Sequence, residues 1–150
     1  MQNAYRVAPI AAGDVDRAYS LVSRALPSLT LCAWRKFCSA CWQAEQRHAG
    51  QENVVIATNP HGYVQGVYVS RLRHDRMHGR ILDASIFAVA SAADEAGVAT
   101  ALFDHLKACA RTEFCKTIRV WALGHADWSR HLAGEGEDNS SHGLLIVLDT

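Results

Sequence analysis

Residues 89–103, VASAADEAGVATALF, constrain the fold more than any other stretch of the chain. An apolar run ends, a turn of small residues follows, and an amphipathic helix begins. At Gly97, Val98 and Ala99 the backbone is nearly bare where that helix opens. The first amides of a helix lack internal partners, and the aligned peptide dipoles put partial positive charge there. A strand, a bare turn and a helix start, in that order, make a seat for a phosphate or pyrophosphate.

The rest of the chain supplies a sheet for that strand. Residues 5–9 alternate weakly and stop at Pro9, which predicts a short strand. Asp14 stands at a cap position before Val15, Ala18, Val22 and Ala25 on one helical face, and Pro27 ends that helix. Thr30 caps a second helix, with Trp34, Phe37, Cys38, Cys41 and Trp42 in one stripe. Residues 53–58 (NVVIAT) are a β-branched strand. Asn59, Pro60, His61 and Gly62 each suit their place in a tight turn, and 62–72 returns as the second arm of an antiparallel hairpin. Residues 80–90 form the longest apolar strand and belong at the centre. A helix over 97–112, a strand over 117–123 and a short helix over 125–133 follow. The polar stretch 134–143 reads as a loop, and 144–148 (LLIVL) as a strand buried on both faces. The order β-α-α-β-β-β-α-β-α-β predicts a mixed α/β domain. A right-handed crossover through 97–112 sets the strand ending at Val89 parallel to 117–123.

At 150 residues and 49% hydrophobic content the chain suits one domain, 1–150, with a substantial core. Lysine plus arginine equals aspartate plus glutamate at 15 each, so no long-range field draws it to nucleic acid or an anionic membrane. No apolar run approaches the about 18 residues of a membrane span. The first residues lack the pattern of a secretory signal, and the expectation is a cytoplasmic protein. Five cysteines sit inside periodic apolar segments, as reduced thiols do. Cys38, Cys41 and His48 have the ingredients of part of a zinc site. The helical stripe accounts for both cysteines as small hydrophobes, and no metal is expected.

The 89–103 stretch resembles the acyl-CoA-binding motif of the GCN5-related N-acetyltransferase (GNAT) family, Q/R-x-x-G-x-G/A, on residues 94–99. Gly97 and Ala99 match; Asp94 stands where the family has Gln or Arg. The order of elements is similar to that family's over nearly the whole chain. The resemblance implies acetyl-CoA as co-substrate and direct attack of an amine, on a small molecule or a protein, upon the thioester. It implies that amides of Glu95, Ala96, Gly97, Val98, Ala99 and Thr100 hold the pyrophosphate. Backbone groups of Phe87 and Val89 would pair with pantetheine, and the splay of 117–123 from that strand would admit it. The family's acidic Tyr is missing, since no Tyr follows Tyr68; His131 falls near its position, and His125 where an Asn often starts that helix. Acceptor choice would fall to the two N-terminal helices and their joint, 27–35, and to the 73–79 connection.

Three side chains carry alternatives. Asp83, a carboxylate within the apolar ILDASIFAV, faces the cleft as a general base, beside Ser85, or bonds to Arg71 or Arg80. Asp94 and Glu95 either repel a pyrophosphate or cap the helix. Two functions remain: an N-acyltransferase, or a non-catalytic relative that binds acyl-CoA or a protein in the same cleft. With 134–143 as a loop, the strand 144–148 would expose an edge, and a homodimer using the C-terminal segment is expected to cover it.

Overall fold

The computed structural model describes residues 5–43, 52–77, 79–90, 94–120, 137–139 and 143–147. Its elements are Arg6–Pro9 (β1), Val15–Ala25 (α1), Leu31–Gln43 (α2), Glu52–Thr58 (β2), Val64–Asp75 (β3), Gly79–Val89 (β4), Glu95–Thr112 (α3), Thr117–Val120 (β5), Glu137–Asn139 (β6) and Gly143–Val147 (β7). The strands form one mixed sheet in the order β1-β2-β3-β4-β5-β7-β6. Every neighbouring pair is antiparallel except β4 and β5, which run parallel as the crossover through α3 predicts.

Local chemistry sets the hairpin of β2 and β3. The Gly62 amide donates to the Asn59 carbonyl at 2.9 Å. Asn59 Oδ1 accepts from the amides of His61 and Tyr63 at 3.0 and 2.9 Å. Gly62 sits at φ +85°, where a side chain would be strained.

Two cores flank the sheet. Val54, Ile56, Val67, Val69 and Ile86 pack against α1 and α2; Val55, Tyr68, Leu82, Phe87 and Ile118 pack against α3. Trp34 is buried and its Nε1 donates to the Val15 carbonyl at 2.8 Å, which ties α2 to the start of α1. Thr30 Oγ1 accepts from the Ala33 amide at 3.1 Å and caps α2 as its sequence predicts. Asp14 makes no side-chain cap bond; a 3-10 turn at Ala12–Asp14 leads into α1 instead. Cys38 is fully buried in the core with Trp34, and burial pushes its thiol up to about 12. It packs as a hydrophobe, and His48 lies outside the described residues. At Gly66 a Cβ would come 2.7 Å from side-chain carbons of both Leu102 and Val98. The first half of α3 therefore rests directly on the β3 backbone.

The expected loop at 134–143 is overturned. β6 lies within it and pairs antiparallel with β7. Its composition opposes a strand, but the open side of β7 supplies a ready ladder, and such context outweighs propensity. Leu144 and Leu145 have β5 on one side and β6 on the other. The edge on which the homodimer was expected is therefore covered within the chain at Leu144 and Leu145. The helix expected at 125–133 lies outside the described residues.

Candidate functional site

The site is built by β4 and the start of α3. β4 pairs with β3 along its length but with β5 only at 81–84, opposite 117–120. Beyond Ala84 it has no β5 partner among the described residues. The change coincides with a bulge. Ala84 pairs with Ser70 and Ile86 with Val69, so Ser85 is an extra residue. Bulges bend a strand and end its pairing on one side. Past the bulge, Phe87 and Val89 point into the α3 core and Ile86 into the other. The Ala90 amide donates to Gln65 O on β3 at 2.8 Å. Strand alternation then turns the backbone groups of Ile86 and Ala88 toward β3. Those of Phe87 and Val89 face the opposite edge.

That edge leads to the start of α3. Val98 and Ala99 are buried and fix the first turn against the core; Glu95, Ala96 and Gly97 are half-buried, and Thr100 is exposed. Asp94 is the N-cap. Its Oδ1 accepts from the Gly97 amide at 3.1 Å, and its Oδ2 accepts from the Tyr5 hydroxyl at 3.3 Å. Of the two alternatives for Asp94, the cap is the one observed. Burial first, then the Asp94 charge and hydrogen bond, hold the Tyr5 phenol above its ordinary value. The turn thus binds an anion, and the anion is the chain's own carboxylate. A Cβ built on Gly97 would overlap that carboxylate.

Asp83 is buried and its Oδ2 lies 3.0 Å from Arg73 Nε. The structural alternative is the one observed, with a different arginine. Arg71 is directly opposite Asp83 in the ladder, but Arg73 reaches it diagonally along the same face. Arg71 Nε is buried without a hydrogen-bond partner. Arg80 lies 3.7 Å from Glu113 instead. Asp83 also sits before the bulge, where β4 is still paired on both sides. Phe87 and Val89 share the α3 core with Val98 and Ala99, and Asp83 lies outside that core. His125 and His131 lie outside the described residues. The Tyr5 contact with Asp94 spans 89 positions and has no local sequence signal.

No family model matches the chain, and no curated protein sequence matches it. Solved structures do match in fold. A Trypanosoma brucei acetyltransferase is 14% identical, with a TM-score of 0.65 over 97% of this chain and 99% of that one. An aminoglycoside N-acetyltransferase solved with CoA is 14% identical, with a TM-score of 0.70 over 89% of this chain and 87% of that one. A GNAT family acetyltransferase from Staphylococcus aureus is 10% identical, with a TM-score of 0.64 over 81% and 88%. The fold of this chain is the GNAT acetyltransferase fold. Among the described residues no helix is long and apolar enough to cross a membrane.

Proposed function

We propose that the chain is an acyl-CoA-dependent N-acyltransferase, moving an acetyl group to an amine of a small molecule or protein. One observation carries this reading: the bulged strand β4 runs on past its last β5 partner among the described residues, toward a helix start that already binds an anion.

The chain's own groups divide the work. Backbone groups of Phe87 and Val89 align the pantetheine amides, as an added strand would align. Amides of Glu95, Ala96 and Gly97 hold the pyrophosphate after Asp94 has turned away, since the Val98 amide already donates to the Asp94 carbonyl at 2.9 Å. Together they place the thioester beside the bulge at Ser85, on the side of the sheet where an amine can approach. Fixing two reactants in this way reaches effective molarities of about 10⁵ M or more. Asp83, paired to Arg73, holds β3 and β4 in register below the cleft and is not the base of this proposal. His131 is the proposed donor to the departing thiolate, and His125 a further contact to the acyl donor, both by resemblance.

The Asp94 carboxylate on the Gly97 amide favours a second reading, a non-catalytic module that binds acyl-CoA or a protein partner. A thermal-shift titration with acetyl-CoA and CoA, followed by thiol release against a panel of amines, separates them. Stabilisation with release on an amine supports the transferase. Stabilisation without release on any amine supports the module. No stabilisation by either ligand overturns the acyl-CoA reading.

A further inference from the structure

Beneath the C-terminal half of α3 lies a cavity of about 490 Å³ that takes no part in the reading above. At 1.5 Å per residue, roughly 18 Å of helix separates Cys109, on its wall, from the turn at Gly97. Val55, Leu72 and Leu82 from the sheet and Ala108 from α3 give it apolar sides. Three further lining residues meet at one point. The Tyr68 hydroxyl lies 2.7 Å from His105 Nδ1. Cys109 Sγ lies 3.6 Å from the same nitrogen and 3.7 Å from the Tyr68 oxygen. His105 and Cys109 are one turn apart on α3 and share a face. Tyr68 reaches them from β3, its ring stacked on Phe87 at 6.5 Å.

Burial holds the Tyr68 phenol far above its ordinary value, so it keeps its proton. Burial holds His105 below its ordinary value, so the ring is neutral at neutral pH. In the tautomer with the ring proton on Nε2, the protonated phenol 2.7 Å away donates to the Nδ1 lone pair, and this is the arrangement the reaction below uses. The Cys109 thiol then has a path for its proton, onto the Tyr68 oxygen as the Tyr68 proton moves to His105. A nucleophile and a base within reach, with a third group orienting the base, is the pattern of an activated nucleophile.

We propose that this cavity is a second site, in which Cys109 attacks small acyl thioesters, His105 is its base and Tyr68 is the relay between them. Cys109 Sγ adds to the thioester carbonyl as its proton passes through Tyr68 to His105 Nδ1. The adduct collapses by breaking its bond to the original thiol sulfur, which leaves with that proton. The products are S-acyl-Cys109 and a free thiol, so no oxidant, reductant or metal is consumed. The class follows from the surroundings. The cavity has the volume of a small-ligand pocket, its apolar sides suit a short acyl chain, and no second cysteine lines it to form a disulfide.

The proposal does not rest on the acyl-CoA reading, and its probe carries no nucleotide. The full chain is incubated with S-acetyl-N-acetylcysteamine, and acylation of each cysteine is followed by peptide mass mapping. The expected result is that half-buried Cys109 is acylated faster than exposed Cys32. His105→Asn is expected to slow Cys109 by about 10²-fold, the usual worth of a positioned base, and to leave Cys32 unchanged. Tyr68→Phe, which keeps the stacked ring, is expected to slow Cys109 as well. Acylation of Cys32 ahead of Cys109 in the native chain overturns the proposal, and that comparison needs no variant to fold. Equal Cys109 rates in the native chain and a folded His105→Asn overturn it too.

Discussion

Replacing Asp94 by Asn keeps a hydrogen-bond acceptor at the start of α3 and removes its charge. In the native chain the carboxylate bonds the Gly97 amide at 3.1 Å, in the place a pyrophosphate would take. A phosphate seated on neighbouring amides would come within about 5 Å of it. At an effective dielectric of about 40, each such pair of unit charges costs about 1–2 kcal/mol. Removing the charge is therefore expected to tighten CoA binding by roughly tenfold. Asn caps a helix about as well as Asp, so Tm should barely move. Asp94→Ala removes the cap as well and should lower stability by about 1 kcal/mol, or about 2–4 °C. Its CoA affinity should rise at least as much as that of the Asn variant, since the ligand no longer has to displace a capping bond. Calorimetric titration with CoA reads both affinities, and a thermal melt reads both stabilities. Added salt should shrink the gain, because the repulsion is partly screened. If both variants bind CoA with native affinity, the carboxylate is not in the ligand's way and the pyrophosphate does not sit at this turn.

Asp83→Asn leaves Arg73 without its carboxylate; because Arg73 is half-exposed, the expected loss is about 1–2 kcal/mol and not the full cost of a buried orphan charge. Any measured acyl transfer should survive in Asp83→Asn, and a fall of about 10²-fold or more in a folded variant would return Asp83 to the role of base. His105 should make the fold sensitive to mild acid. Its folded value lies below the unfolded one, so the unfolded chain binds the extra proton as pH falls through about 6.5. The stabilisation is complete above that pH and is lost below it, down through the folded value. Denaturant midpoints at pH 7.5 and 5.5 should differ less in His105→Gln than in the native chain, and parallel profiles would refute this.

Elements with strong local signals were legible in the sequence. The turn from Asn59 to Gly62, the apolar run of β4 and the small residues at Gly97 each dictate local geometry, and the parallel pairing of β4 with β5 follows from the crossover rule. Asp94 as a cap was legible too, because a carboxylate before a helix satisfies its first amides. What stayed hidden depends on register. Arg73 reaches Asp83 only because the ladder sets it diagonally across from that position. The bulge at Ser85 has no signal in ILDASIFAV, where a serine suits a regular strand as well as a bulge. β6 forms from Glu137, Asp138 and Asn139, residues with poor strand propensity, because β7 offers it a partner. His105 and Cys109 are visibly one turn apart, but Tyr68 joins them from another strand, and no spacing announces it.

The single parallel junction also bears on how the chain comes together. β2, β3 and β4 follow one another through short connections and can zip as neighbours. β5 reaches β4 only after the 18 residues of α3 have crossed the sheet, and it then gains four rungs. Contacts that must close a long loop before they are rewarded form slowly. The antiparallel half of the sheet is therefore expected to assemble ahead of the junction with β5, β7 and β6. The length of β4 beyond Ala84, which carries Phe87 and Val89, thus lies past the last described rung of the slowest joint in the sheet.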